Sequence, residues 1–184
     1  MKSDKILSSK SISLLALTVC IIIYSALPAH AFLDNKFKQE IETENNAVKL
    51  AREVQKGGYD LVTTDELKQW IDNKKKDMVI VDTMPYEESY KKSHIPGALQ
   101  FLFPIQDMNT WDTKETDGKT EADFQKLLGN NLEKTIIIYC GFVKCTRSHN
   151  GAVWAKKLGY KNVYRYSGGI FAWKGADFEV EQVQ

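Results

Sequence analysis

Two cysteines five residues apart, with two cations in the same segment, are the side chains of this sequence best suited to chemistry. Cys140 follows the apolar run Thr135-Ile136-Ile137-Ile138-Tyr139, and Cys145, Lys144 and Arg147 come directly after it. A thiolate rather than a thiol attacks electrophiles, and nearby cations or free helical N–H groups lower a thiol pKa from about 8.5. A helix predicted from about Ser148 to Leu158 would begin just beyond this segment. Cys140 would then stand near a helix N-terminus, where unpaired amides and the dipole favour an anion. The expectation is a Cys140 with a lowered pKa and a nucleophilic sulfur; the alternative is an inert cysteine closing a core strand. Lys144 and Arg147 would add positive charge or clamp an anionic substrate. In a curled loop the Cys145 sulfur can approach that of Cys140, since a bridge needs α-carbons within about 7 Å. Cys145 would then be able to close a disulfide with Cys140. The alternative is that it packs beneath the loop.

Other candidates carry less. His94 sits in a His-Ile-Pro-Gly turn that suits a structural hydrogen bond, and His149 would face either the pocket or solvent. Beyond residue 31, two histidines and two cysteines without ligand spacing predict no metal site, and no cofactor is expected. Tyr164, Tyr166, Phe171 and Trp173 read as core and pocket wall, and Gly168-Gly169 as a tight turn.

The elements around this segment alternate. Asn46 to Lys56 has helical periodicity, ended by Gly57-Gly58. Leu61-Val62 reads as a short strand, and Thr63-Thr64-Asp65-Glu66 as a helix start with Leu67, Trp70 and Ile71 on one face, ended by Lys74-Lys75-Lys76. Met78 to Val81 is a strand covered on both faces. Tyr86 to Lys92 is a short helix stopped by turn chemistry, and Ala98 to Phe103 another strand. Asp107 to Lys119 is an irregular surface loop around Trp111, followed by a helix over Glu121 to Leu128 closed by Gly129. After the strand Thr135–Tyr139 and the helix from Ser148 come the strand Asn162 to Arg165 and a short helix from Gly168-Gly169 through Trp173. Strands alternating with helices predict an α/β fold with a mostly parallel sheet. In such sheets ligands bind beyond the carboxyl ends of the strands, where Cys140 stands.

These residues resemble a known family. Ile138-Tyr139-Cys140, Arg147-Ser148, Leu158-Gly159-Tyr160 and Val163 with Gly168-Gly169-Ile170-Phe171-Ala172-Trp173 look like the C-terminal half of a rhodanese-like domain. Ile80-Val81-Asp82, Tyr86-Glu87-Glu88 and His94-Ile95-Pro96-Gly97-Ala98 look like its N-terminal signature. The resemblance covers roughly residues 58 to 178. It implies an open, mostly parallel five-stranded sheet with helices on both faces, and a sulfurtransferase of the thiosulfate type. Cys140 would bear a persulfide, cradled by the backbone N–H groups of Gly141, Phe142, Val143, Lys144, Cys145, Thr146 and Arg147, with Asp82 and Ser148 in support. The donor would be a small sulfur-containing anion such as thiosulfate or polysulfide, and the acceptor cyanide, a thiol or a protein thiol. Three positions depart from the pattern. The six residues from Gly141 to Thr146 make a longer loop than usual, Met84 stands where an arginine is common, and Ser93 where a glycine is. A longer loop implies a wider pocket. It leaves open a thiol–disulfide or oxyanion-reducing protein using the cysteine pair, and a non-catalytic binding domain. Phosphatase activity fits least, because Phe142-Val143 and a second cysteine do not suit a phosphate cradle.

The ends of the chain bear on where this chemistry happens. Lys2, Lys5 and Lys10 precede an apolar stretch from Ile12 to Tyr24, and Pro28-Ala29-His30-Ala31 offers small residues before a cut after Ala31. That stretch is short of the roughly 20 residues of a membrane span, so residues 1–31 read as a cleaved export signal, an uncleaved anchor being the alternative. Residues 32–57 would be an N-terminal extension, and 58–184 the domain itself. Cleavage leaves 153 residues and, with three Lys and one Asp removed, shifts the net charge from +1 to −1. Such a balance does not suggest nucleic acid as a partner. A periplasmic or secreted protein without stable membrane association is expected.

Overall fold

The computed structural model describes residues 35–183, divided between two compact units, one ending at Asn45 and one running from Asn46 onward. The expected export signal lies outside the described residues. In the first unit residues 35–45 are helical, and this helix, α1, continues into the second unit as far as residue 57. Among the described residues no helix is long and apolar enough to cross a membrane.

The second unit is the α/β fold expected, with an all-parallel sheet. Its strands are β1 (Asp60–Leu61), β2 (Met78–Asp82), β3 (Leu99–Gln100), β4 (Thr135–Tyr139) and β5 (Asn162–Tyr166), in the order β1-β5-β4-β2-β3. The main helices are α2 (Thr64–Asp72), α3 (Glu121–Leu128), α4 (Thr146–Lys157) and α5 (Gly169–Gly175). Thr63 and Glu66 form a capping box that starts α2, and Thr120 with Asp123 does the same for α3. The expected helix over Tyr86 to Lys92 is a single π-helical turn, Tyr86–Tyr90, and the expected strand Ala98 to Phe103 pairs only at Leu99–Gln100.

Alternation along the strands sorts side chains into two layers. Ile136 and Ile138 of β4, with Val81 and Val163, face Phe124 and Leu128 of α3 and Ala152, Trp154 and Ala155 of α4. Ile137 and Tyr139, with Ile80 and Tyr166, face Leu67 of α2 and Ile170 and Trp173 of α5. Every residue of β4 is buried, as a central parallel strand requires. The loop around Trp111 is less superficial than its polarity suggests: the indole packs edge-on against Phe101, Phe103 and Trp154, and so belongs to the first layer.

The carboxyl end of β4 is tied down from behind. Ile170 N–H donates to the carbonyl of Cys140 at 3.0 Å, and Phe171 N–H to that of Gly141 at 3.0 Å. This approach needs a residue without a side chain: at Gly169 φ is +60°, and a Cβ there would stand 2.2 Å from the Cys140 carbonyl oxygen. Gly169→Ala should therefore combine left-handed strain with a backbone clash, lowering stability by about 2–4 kcal/mol in urea denaturation. A loss below about 0.5 kcal/mol would contradict this account of the turn.

Candidate active site

Cys140 is the first residue beyond β4 and only 1% exposed. Helix α4 starts at Thr146, two residues earlier than the sequence pattern predicts, with Cys145 as its N-cap residue. That small shift puts Cys145, not a residue further on, at the start of the helix. The Cys140 Sγ lies 3.8 Å from the carbonyl oxygen of Phe142, 3.6 Å from that of Cys145 and 3.3 Å from Ser148 Oγ. Carbonyl oxygens only accept, so they favour a protonated sulfur that donates. Burial above all, then the hydrogen bond and charge of Cys145, push the Cys140 thiol well above its ordinary value, against opposing hydrogen bonds from Ser148. The sulfur meets two carbonyls together with the Ser148 hydroxyl and amide, where a ring of amides was expected. Cys140 is a buried thiol facing carbonyls.

The direction is opposite for its neighbour. Cys145 is half-buried, and its pKa is pulled down to about 6, foremost by the hydrogen bond it receives from Cys140. Burial opposes this, and the main-chain N–H groups of Arg147 and Gly141 and the charge on Arg147 assist it. The two thiols share one proton, and their surroundings decide which holds it.

The loop is braced by a residue that the sequence reading did not single out. Arg165 of β5 is fully buried. Its Nη2 donates to the carbonyls of Val143 at 3.1 Å and Cys145 at 2.9 Å, and its Nε to Ser148 Oγ at 2.9 Å. Its Nη1 pairs with the Glu53 carboxylate and reaches Tyr59 Oη at 3.4 Å. Glu53 lies on α1, where Lys49 salt-bridges it at 3.5 Å and also donates to the Lys144 carbonyl at 3.3 Å. Residues 46–57 are therefore part of the site's support. The available signal was a charge two residues after the buried Val163, on the same face of β5.

The remaining expected residues divide between the loop and its frame. Arg147 donates through Nη1 to the Phe103 carbonyl, which shapes the loop. Thr146 is the first residue of α4, and Ser148 joins Arg165 to Cys140. Met84 packs against Gly141, and Ser93 accepts from Lys174 Nζ at 2.6 Å. Asp82, at the end of β2, accepts from Met84 N–H at 2.9 Å through Oδ1, while its buried Oδ2 has no partner within hydrogen-bond geometry among the described residues. Burial raises its pKa to about 6, against the hydrogen bonds of Met84 and Tyr139. His94 has the structural role expected, with Nδ1 2.9 Å from the Tyr90 carbonyl and its ring stacked on Tyr90. His149 is buried rather than solvent-facing, with Nδ1 2.7 Å from Tyr59 Oη. Phe171 is 63% exposed, not core, and pairs with the exposed Phe142 at 5.4 Å between ring centres.

Comparison with known proteins places this arrangement. The family model described as Rhodanese-like domain matches residues 63–176. No curated protein matches the chain. Among solved structures, the chain is similar to the BH2092 protein of Bacillus halodurans, with 25% identity over 74% of this chain and 86% of that one, and a TM-score of 0.53. It is also similar to the thiosulfate sulfurtransferase of Pseudomonas aeruginosa, at 18% identity, with a TM-score of 0.55 over 76% of this chain and 23% of that one. This second likeness shows the fold.

Two stability measurements test the frame. Arg165→Met strands Glu53 and two loop carbonyls, and should cost about 3–5 kcal/mol in urea denaturation, with Glu53→Leu in the same chain recovering part of the loss. If the double variant is no more stable than the single one, the ion pair is not what the arginine supports. Asp82 keeps its proton up to about pH 6 in the fold, against an ordinary value of 3.8. Its contribution to stability is therefore complete at low pH and lost as pH rises through 6. Relative to Asp82→Asn, the wild type should lose up to about 3 kcal/mol between pH 4 and pH 7. A difference that stays flat across that window would sink the assignment.

Proposed function

Because this chain belongs to the rhodanese-like domain family, we propose that it is an exported sulfurtransferase. In this reading it takes a sulfane sulfur from a small anionic donor as a persulfide on Cys140, and hands it to a thiophilic acceptor. The observation that carries it is the pairing of two thiols at the head of α4, the more exposed of them held toward its anion. A thiolate attacks the sulfane sulfur of a donor such as thiosulfate or polysulfide, and a low thiol pKa keeps that nucleophile populated at neutral pH. Arg147 contributes positive charge beside Cys145, which suits an anionic donor. The acceptor would be cyanide, a small thiol or a protein thiol.

Phosphoryl transfer fits less well. A phosphate needs amides turned inward around the nucleophile, whereas the carbonyls of Phe142 and Cys145 face the Cys140 sulfur. A non-catalytic binding role leaves unexplained why one loop thiol is held so far from its ordinary protonation. The first 31 residues support export, and the protein would act in the periplasm or outside the cell, free of the membrane once the signal is cut.

The test is intact mass. Reduced protein treated with thiosulfate or polysulfide and quenched in acid should gain about 32 Da, or show the loss of two free thiols if the sulfur is then expelled. A variant with both cysteines changed to serine should do neither. Wild-type protein that keeps its original mass and both thiols with every donor would rule out sulfur transfer.

A further inference from the structure

We propose that the hollow beside α4, lined by no residue of the Cys140–Arg147 loop, is a binding site for a small monocarboxylate, with His149 Nε2–H as its central donor. The site stands apart from the sulfur chemistry and goes beyond that reading.

The hollow measures about 170 Å³ and lies where the end of α1, helix α4 and the segment after Phe103 meet. Lys56, Asp107, Met108, His149, Val153 and Lys157 are among its walls. It has room for roughly five or six groups the size of a water, and is smaller than the roughly 300–1,000 Å³ of a drug-sized site. Its walls are tied together. Asn150, 2% exposed, spends its amide on the neighbouring segment: Nδ2 donates to the carbonyls of Pro104 at 2.9 Å and Gln106 at 2.7 Å, and Oδ1 accepts from Met108 N–H at 2.9 Å. Lys157 Nζ donates to the Asn109 carbonyl at 2.9 Å and stands 3.9 Å from the centre of the Trp154 ring.

His149 is the buried wall residue that keeps an unused polar atom. It is 4% exposed, with Nδ1 2.7 Å from Tyr59 Oη. A guanidinium only donates, so Arg165 Nη1, 3.4 Å from the same oxygen, makes Tyr59 Oη an acceptor. Tyr59 then gives its own proton to Nδ1, and the neutral ring carries its hydrogen on Nε2. Burial above all holds the ring neutral by lowering its pKa; Glu53 and Asp107 oppose this, while Arg165 and Lys56 assist. Among the described residues Nε2 has no hydrogen-bond partner. A donor left unmatched in so closed a place costs free energy, and a ligand that accepts there recovers it.

Charge and shape narrow the ligand. Two cations, Lys56 and Lys157, stand against one carboxylate, Asp107, which Lys56 holds at 3.7 Å. The surplus of one positive charge matches a monoanion, not a dianion. Met108 and Val153 add an apolar side, which a bare inorganic oxyanion leaves unused and a short alkyl chain covers. A small carboxylate meets all three conditions, with oxygen on Nε2–H, charge toward Lys157 and carbon against Met108 and Val153. The same ring is the outer member of the chain through Tyr59 and Arg165 to the loop carbonyls of Val143 and Cys145.

The test follows the His149 ring by NMR in the whole chain, its signals identified by their loss in His149→Gln. Propionate, added at constant ionic strength against chloride, should shift these signals saturably with a midpoint of about 1–10 mM. With propionate bound the ring should titrate about one pH unit higher, because an anion beside it favours the imidazolium. By reciprocity, propionate should bind up to about tenfold more tightly below the pKa of the ring than above it. Propionamide has the same shape without the charge and should leave the ring's titration where it is. Lys157→Gln, an exposed change, should weaken propionate about two- to fivefold. No saturable shift, or an equal response to propionamide, overturns the proposal. Phosphate that saturates the ring at lower concentration than propionate overturns the carboxylate assignment, and propionate binding unchanged in Lys157→Gln overturns its place in this hollow. Since the readout does not involve Cys140, failure here leaves the sulfurtransferase reading standing, and failure of that reading leaves this site standing.

Discussion

A loop that turns back at the end of a buried strand leaves carbonyl oxygens where water does not reach, and one guanidinium satisfies them here. Arg165 supplies a fixed fork of donors to the carbonyls of Val143 and Cys145 and to Ser148. A lysine presents a point charge on a flexible stem and does not reproduce that planar fork. Burying the arginine in turn requires a counter-charge, since an unpaired ion in the interior is costly. Glu53 provides it from α1. The site is therefore not confined to the loop and the sheet, because a helix far upstream in sequence supplies the charge that lets the brace be buried.

The same brace sets the electrostatics of the two thiols. It holds the Cys145 carbonyl, one of the two that face the Cys140 sulfur, and acceptors around a sulfur favour its protonated form. The Cys140 proton is then available to Cys145, whose other neighbours are main-chain amides and the Arg147 charge. One sulfur becomes a donor because carbonyls surround it, and the other an acceptor because amides do. The long loop is what allows a second cysteine to stand at the helix N-cap, within reach of the first. Gly169 completes the arrangement, since only a bare α-carbon lets the start of α5 approach closely enough to donate to the Cys140 and Gly141 carbonyls.

Much of the architecture was legible from pattern. The apolar runs Met78 to Val81 and Thr135–Tyr139 are strands, because residues covered on both faces read as continuous hydrophobic stretches. Thr63 marks a helix start, because its side chain satisfies an amide that the helix itself cannot. The weaker expectations failed where tertiary contacts outweigh local preference. Ala98 to Phe103 is rich in apolar residues, yet only two of them pair, because Phe101 and Phe103 are drawn into an aromatic cluster with Trp111 and Phe124. His149, polar and early in its helix, is buried because Tyr59 offers it a hydrogen bond from a position 90 residues away.

Sequence alone determined the α/β class, the family resemblance, and the segment from Cys140 to Arg147 as the place for chemistry, because residue type and spacing along one short stretch are local quantities. What surrounds each of the two sulfurs was decided only in three dimensions. That depends on whether carbonyls or amides point at each atom, on a helix start displaced by two residues, and on a buried arginine brought from β5 with its partner from α1. A thiol's protonation is set by the groups that surround it in space, and these come from parts of the chain whose order says nothing of their proximity.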